Sequence, residues 1–208
     1  MVLKFGCIFA SMKIILATQN EHKVCEIQAA LPEGVLLTSL KTIGWSRPLE
    51  ETGNTFQENA LQKAMAVYIE TGISVLADDS GLVVNALKGA PGVFSARYAG
   101  EPSDDARNRQ KLLDEMRGVT DRKAHFVTVL AFVAEGKAHF FTGEVHGELE
   151  NQERGQNGFG YDALFVPSNG TGLTFAEMSS DEKNAVSHRT QALNLFLGFL
   201  ASEHPQKN

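Results

Sequence analysis

Residues 125–148 constrain the fold more than any other stretch of this 208-residue chain. His125 to Ala134 and Lys137 to Glu148 read as two strands around the turn Glu135-Gly136, long enough for an extended hairpin. The earlier chain follows another pattern. Met12 to Ala17 reads as a short buried strand. Asn20 then caps a helix that runs to about Leu31 and is ended by Pro32 and Gly34. Val35 to Thr38 gives a second short strand, and Lys41 to Asn54 read as a loop. Thr55-Phe-Gln-Glu58 has the spacing of a capping box, in which hydroxyl and carboxylate each satisfy an end-of-helix N–H. Its helix runs to about Glu70 and stops at Gly72. Ile73 to Ala77 and Leu82 to Val84 read as strands, Ser103 to Met116 as a helix polar on one face, and Tyr161 to Val166 as a further strand. Ser179-Ser-Asp-Glu182 is a second capping box, whose helix continues to about Leu200. Early alternation of strands and helices, with a long antiparallel hairpin late, predicts a mixed α/β fold rather than a bundle or a sandwich.

A chain of this length buries roughly 70% of the surface its unfolded form exposes, so it needs no disulfide or metal to fold. Cys7 and Cys25 make neither a metal-ligand spacing nor a disulfide framework, in keeping with a cytoplasmic protein. The net charge of −6 argues against a nucleic acid partner held by its backbone, while leaving room for a phosphate ligand at a local cluster of Lys and Arg. No run approaches the ~20 apolar residues of a membrane span, so no membrane partner is expected. Residues 1–11 carry an apolar run shorter than the ~7–15 residues of a secretion signal, and read as an extension of unknown role before Met12. Residues 12–208 read as a single domain, in which loops near 41–54 and 88–104 divide two lobes about a cleft.

Four segments are polar in ways that folding alone does not require. Thr18-Gln-Asn20, with Lys23 and Glu26, follows a buried strand and opens a helix. A strand-to-helix turn presents free N–H groups and a positive dipole end, which suits a phosphate; it is equally an ordinary helix cap with surface charges. Ala77-Asp78-Asp79-Ser80-Gly81 follows another buried run. Two carboxylates there repel unless a cation or hydrogen bonds hold them, so the segment is either a turn or, with Glu50-Glu51, an acidic site for Mg²⁺. Gly89-Ala-Pro-Gly92 leads to Arg97, as a structural loop or a rigid mount for the arginine. Gly158-Phe-Gly-Tyr-Asp162 sets an aromatic ring between two glycines, free to lie against a planar base. In the last helix Lys183 and Ser187 share a face beside His188 and Arg189, as a basic surface or a ligand grip.

Together these segments resemble the inosine triphosphate pyrophosphatases, also called dITP/XTP pyrophosphatases. The matching stretches are LATQNEHKVCEI (16–27), ETGNTFQENA (51–60), LADDSGLVVNALKGAPGVFSARYAG (76–100), GFGYDALF (158–165) and TFAEMSSDEKNAVSHRTQAL (174–193). They stand in the family's order from about Met12 to Leu200. The resemblance implies an elongated mixed α/β sheet whose two lobes flank a central substrate cleft, a homodimer, and dependence on Mg²⁺. It implies hydrolysis of non-standard purine nucleoside triphosphates (ITP, dITP, XTP) to monophosphate and pyrophosphate. By motif, Thr18, Gln19, Asn20, Glu21, His22 and Lys23 would hold the triphosphate. Asp79 would be the essential carboxylate at the metal and the attacking water; Glu50 would complete the metal pair, with Glu51 the near alternative. Ser80 would touch the substrate, and Phe159, Gly160, Tyr161, Asp162, Lys183, His188 and Arg189 would hold the base and nearby phosphate. The chain departs from the family in the extension before Met12 and in Ala163, where the family usually has proline. The related Maf type, acting on modified pyrimidines, is disfavoured by the Ser187-His188-Arg189 and GFGYD segments. A sensor that binds without turnover is disfavoured by the carboxylates at 50, 51, 78 and 79.

Overall fold

The structure is a computed structural model and describes residues 12–31 and 35–203. The extension before Met12 and the helix stop at Pro32 and Gly34 lie outside the described residues. Strand β1 is Met12–Ala17, helix α1 Glu21–Ala30, β2 Val35–Ser39, α2 Phe56–Thr71 and β3 Val75–Val84. Helix α3 is Asp105–Glu115, β4 Lys123–Ala134, β5 Lys137–Leu149, β6 Phe165–Pro167, α4 Ser180–Val186 and α5 His188–Glu203. The strands form one six-stranded sheet in the order β2-β1-β3-β4-β5-β6. The sheet is mixed: β1 pairs in parallel with β2 and β3, and β5 pairs antiparallel with β6. No described helix is long and apolar enough to cross a membrane.

The local signals act as physical chemistry requires. Asn20 Oδ1 accepts the N–H groups of His22 and Lys23, which opens α1. Both halves of the Thr55/Glu58 capping box form, and Gly72 closes α2 in the left-handed region at φ 64°. The hairpin turn puts Glu135 at φ 51° and Gly136 at φ 73°, the backbone that matches the twist of two joined strands. The hydroxyl of Tyr68 accepts the Gly136 N–H at 2.8 Å.

Three expectations are corrected. Residues 75–77 and 82–84 belong to one strand, β3, which runs straight through Asp78-Asp79-Ser80-Gly81, while Ile73 and Ser74 stand outside it. A turn would relieve two repelling carboxylates, but in a strand successive side chains point to opposite faces, and each aspartate meets its own lysine. Residues 161–166 are mostly not strand. Asp162–Leu164 form a 3₁₀ turn before β6, because the Asp162 carboxylate accepts the Phe159 N–H and curls the chain back on itself. The last helix is two helices. Ser187 is extended (φ −74°, ψ 151°), and its Oγ accepts the Thr190 N–H at 3.2 Å, so it caps α5.

The chain forms two compact units, each with its own core. Of the described residues, one comprises those up to Asp79, Val129–Thr142 and those from Ala192 onward. Ile14, Leu16, Ile27, Leu76, Leu130 and Phe132 pack there against Phe196 and Leu200 of α5. The other comprises Ser80–Thr128 and Gly143–Gln191. Its core gathers Leu82, Leu112, Phe126, Val145, Phe165 and Phe175. Each of the loops 41–54 and 88–104 lies within a single unit, so neither marks the division.

Candidate functional site

In the first unit the site is built on the middle of β3 and the inner face of α2. Asp78 is fully buried and Asp79 is 5% exposed. Carboxylates so placed need cations. Lys23, in the first turns of α1, forms an ion pair with Asp78. Lys63 of α2 is 4% exposed; its Nζ lies 3.3 Å from Asp79 Oδ1, donates to the Asp78 carbonyl at 2.7 Å and pairs with Glu51. Asn59, buried one turn earlier on the same helix, donates from Nδ2 to Asp79 Oδ2 at 3.2 Å and accepts the Gly53 N–H at 2.8 Å. That second bond ties the loop carrying Glu51 to the aspartate. Gly53 fits because an added Cβ would stand 2.6 Å from Glu58 Cβ and 3.2 Å from the Asn59 backbone.

The electrostatics follow from this packing. Burial raises the Asp79 pKa; Lys63 and Lys23 pull it down, Glu51 and Asp78 push it up, and the balance stays above the ordinary carboxylate value. Burial alone would discharge Lys63, but Asp79, Glu51 and Asp78 outweigh it and hold its pKa above the usual lysine value. Lys63 is therefore a permanent cation between carboxylates.

Lys63 and Asn59 were absent from the sequence reading. The signal for them lay in α2, where Ala60, Ala64 and Val67 form a buried stripe with helical spacing. A lysine at 63 falls inside that stripe, and a charge on a buried face needs a partner. The expected placement of Glu50 also changes: Glu50 is exposed, whereas the half-buried Glu51 is the one that shares Lys63 with Asp79. The acidic pair that the fold assembles is thus Asp79 with Glu51.

In the turn before α1 the N–H groups of Asn20, His22 and Lys23 are taken by the Thr18 and Asn20 side chains. Thr18 is buried and its Oγ1 accepts the Asn20 N–H at 3.2 Å; Glu21 and His22 are exposed. Gln19 donates its amide to the Arg47 carbonyl at 3.1 Å, which links this turn to the loop ahead of Glu51.

In the second unit an aromatic and cationic cluster forms around Phe159. Lys183 Nζ stands 4.9 Å from the ring centroid of Phe159, and the Arg189 guanidinium stands 5.8 Å from it. Lys183 also pairs with Asp162 at 2.8 Å, so Asp162 fixes the ammonium and the Phe159 backbone together. Gly158 is required here: at φ +75° its added Cβ would lie 2.1 Å from Asp162 Oδ2. Arg189 Nη2 reaches Ser80 Oγ at 3.3 Å, and Ser80 bonds Thr128 at 2.8 Å. The His188 ring stacks on Phe126 at 4.8 Å and 9°. Tyr161 turns inward and donates its hydroxyl to the Ser95 carbonyl at 2.9 Å. Its burial and the nearby acidic groups push the phenol pKa far up, so Tyr161 acts as an uncharged anchor. The break at Ser187 places His188 and Arg189 in the first turn of α5, each 4% exposed.

Among the described residues no group of three or more His, Cys, Asp or Glu side chains could hold a metal ion unaided. Asp79 and Glu51 nevertheless offer hard oxygen donors gathered on one cation, Lys63. Two carboxylates completed by substrate phosphates and water are an ordinary Mg²⁺ environment, so the donor set fits that ion.

A model of the Ham1 family matches residues 14–199. The chain is similar to the dITP/XTP pyrophosphatase of Bacillus licheniformis, with 49% identity over 185 residues covering 87% of this chain and 94% of the relative. It is similar to the dITP/XTP pyrophosphatase of Christiangramia forsetii, with 43% identity over 190 residues covering 91% and 100%. The solved structure of a HAM1 protein from Coxiella burnetii superposes with a TM-score of 0.85 at 39% identity, covering 92% of this chain and all of that one. With a family match spanning nearly the whole chain, and relatives of this identity matched over almost their full length, the protein belongs to the Ham1 family.

Proposed function

We propose that this protein hydrolyses non-standard purine nucleoside triphosphates (ITP, dITP and XTP) to the monophosphate and pyrophosphate, and so removes deaminated purines from the nucleotide pool. The observation that carries the reading is the set Asp79, Glu51 and Lys63 with the neighbouring Lys23–Asp78 pair, in which carboxylates and cations are locked together beside a strand-to-helix turn. The names of the relatives agree with it.

The turn Thr18 to Lys23 takes the triphosphate at the positive end of the α1 dipole, where Asn20 holds the His22 and Lys23 N–H groups in place. Lys23 and Lys63 offset phosphate charge. Asp79 and Glu51, rather than Glu50, would hold Mg²⁺ with the substrate phosphates; the ion would supply charge neutralisation at the phosphorus and the leaving group. Asp79 accepts a proton from the attacking water, which adds to the α-phosphorus as pyrophosphate departs. The water's oxygen stays on the monophosphate, and its second proton passes to bulk solvent.

The cluster around Phe159 takes the base. Phe159 offers a flat face, while Arg189, Ser80 and the neighbouring backbone offer donors. Inosine and xanthine carry an oxygen at C6 where adenine carries an amino donor, so a donor-lined site leaves adenine unpaired. Such a mismatch costs ~1–3 kcal/mol per group. The protein works as a cytoplasmic homodimer with magnesium as its metal. Release of phosphate from ITP in the presence of Mg²⁺ and an added inorganic pyrophosphatase tests the reading. Release is expected, and none above background would reduce the protein to a binder.

A further inference from the structure

Phe159 is gripped from a direction that none of the sequence motifs includes. Both backbone polar groups of Gly160 are taken by side chains of α3. Asp105 Oδ2 accepts the Gly160 N–H at 2.6 Å, and Arg109 Nη1 donates to the Gly160 carbonyl at 2.9 Å. Residues 105 and 109 stand one helical turn apart, so a single helix face presents an acceptor and a donor at the spacing of one residue's N–H and C=O. Arg109 is oriented in turn by Glu153, 3.0 Å from its Nε. Asn108, buried on the same stretch of helix, donates to the Ala96 carbonyl at 2.9 Å and accepts the Ala99 N–H at 2.7 Å, which fastens α3 in place. A Cβ added to Gly160 would meet no atom within 4 Å, so only its φ of +59° calls for glycine. Its position is set by its backbone partners.

We infer that Asp105 and Arg109 are positioning residues for base selection, fixing the Gly160 N–H and carbonyl and through them the Phe159 ring against Lys183 and Arg189. This rests on the reading of the Phe159 cluster as the base-binding part of the site. Neither side chain belongs to the cluster it positions. Asp162 holds the Phe159 N–H and Ser95 holds the Tyr161 hydroxyl, so three consecutive residues are each fixed by a different element. The α3 grip is the one of the three that takes both the N–H and the carbonyl of one residue. A planar ring stacked on a base loses contact with small displacements, and misplacement by ~1 Å can cost ~10²-fold in rate.

The test compares kcat and KM for ITP and ATP in the full-length protein, with thermal unfolding run alongside. Arg109→Leu is expected to raise KM for ITP by about tenfold, as for loss of a charge-assisted hydrogen bond, with a much smaller change in kcat. The ITP-to-ATP ratio of kcat/KM should shrink, and Arg109→Lys should recover part of it. Asp105→Ala, which removes the acceptor for the N–H of the same residue, is the independent second variant and should move the ratio the same way. A parent that prefers ITP and variants that keep its full preference would overturn the inference alone. Equal losses on both substrates that track a lowered melting temperature would also overturn it, since they mark a merely structural role. A parent with no preference for ITP would overturn the base-site reading, and this inference with it.

Discussion

Lys63 and Asp79 define each other's charge. One is an ammonium that burial would discharge and the other a carboxylate that burial would protonate; they remain an ion pair because Glu51, Asp78 and Lys23 complete the balance. Removing one partner of a buried pair leaves an uncompensated charge, at ~3–5 kcal/mol. Lys63→Met is therefore expected to lower unfolding stability by about that much in urea titration, and to lower kcat as well. Asp79→Asn should keep the fold and reduce turnover by ~10²–10⁴, read as kcat with saturating ITP and Mg²⁺. The sequence carried Asp79 plainly, because a DDSG segment after a buried run is chemically costly. It carried Lys63 only faintly, as one charge inside an alanine and valine stripe. The sequence left Glu50 and Glu51 as alternatives, since which of two adjacent loop residues turns toward Lys63 depends on how the loop folds.

At the scale of elements, capped and periodic segments were readable, and segments shaped by side-chain capture were not. The capping boxes at Thr55 and Ser179 act through nearest neighbours, so their spacing alone announces them. Residues 179–200 have unbroken helical periodicity, and the break appears only once Ser187 is seen to cap Thr190 in competition with continuing α4. Ser187→Ala should cost ~1 kcal/mol in thermal unfolding, as for loss of an N-cap. Its functional effect should fall on KM for ITP more than on kcat, because His188 and Arg189 open the helix it caps.

The hairpin carries a pH response. His125 of β4 faces His146 of β5, with ring centroids 5.0 Å apart, and Glu144 lies 3.7 Å from His146 Nε2. Burial lowers the His125 pKa, Glu144 opposes this and His146 adds to it. The folded state thus binds its proton less readily than the unfolded chain. This contribution is fully present above the ordinary histidine pKa of about 6.5 and is lost as pH falls through the lower folded value. The melting temperature of the parent is expected to drop below about pH 6.5 by more than that of His125→Gln, measured across the same buffer series. Equal slopes would remove His125 from the response.

At the scale of the whole molecule, the acidic cluster lies in one unit and the aromatic, cationic cluster in the other. The division was not legible from loops, because the chain passes from unit to unit within strands and within α5. The mixed sheet was legible, since alternating elements and a long hairpin leave few other arrangements. The proposed homodimer is checked by sedimentation equilibrium, where twice the 22.6 kDa chain mass is expected.

The central claim is the cleavage of deaminated purine triphosphates between the α and β phosphorus. The most direct measurement incubates the protein and Mg²⁺ with ITP, dITP, XTP, ATP and GTP in ¹⁸O-labelled water, and identifies the products by mass. The first three are expected to give monophosphate bearing the label, with unlabelled pyrophosphate, far faster than ATP or GTP. Diphosphate with labelled orthophosphate, label in pyrophosphate, or equal rates on all five would contradict it.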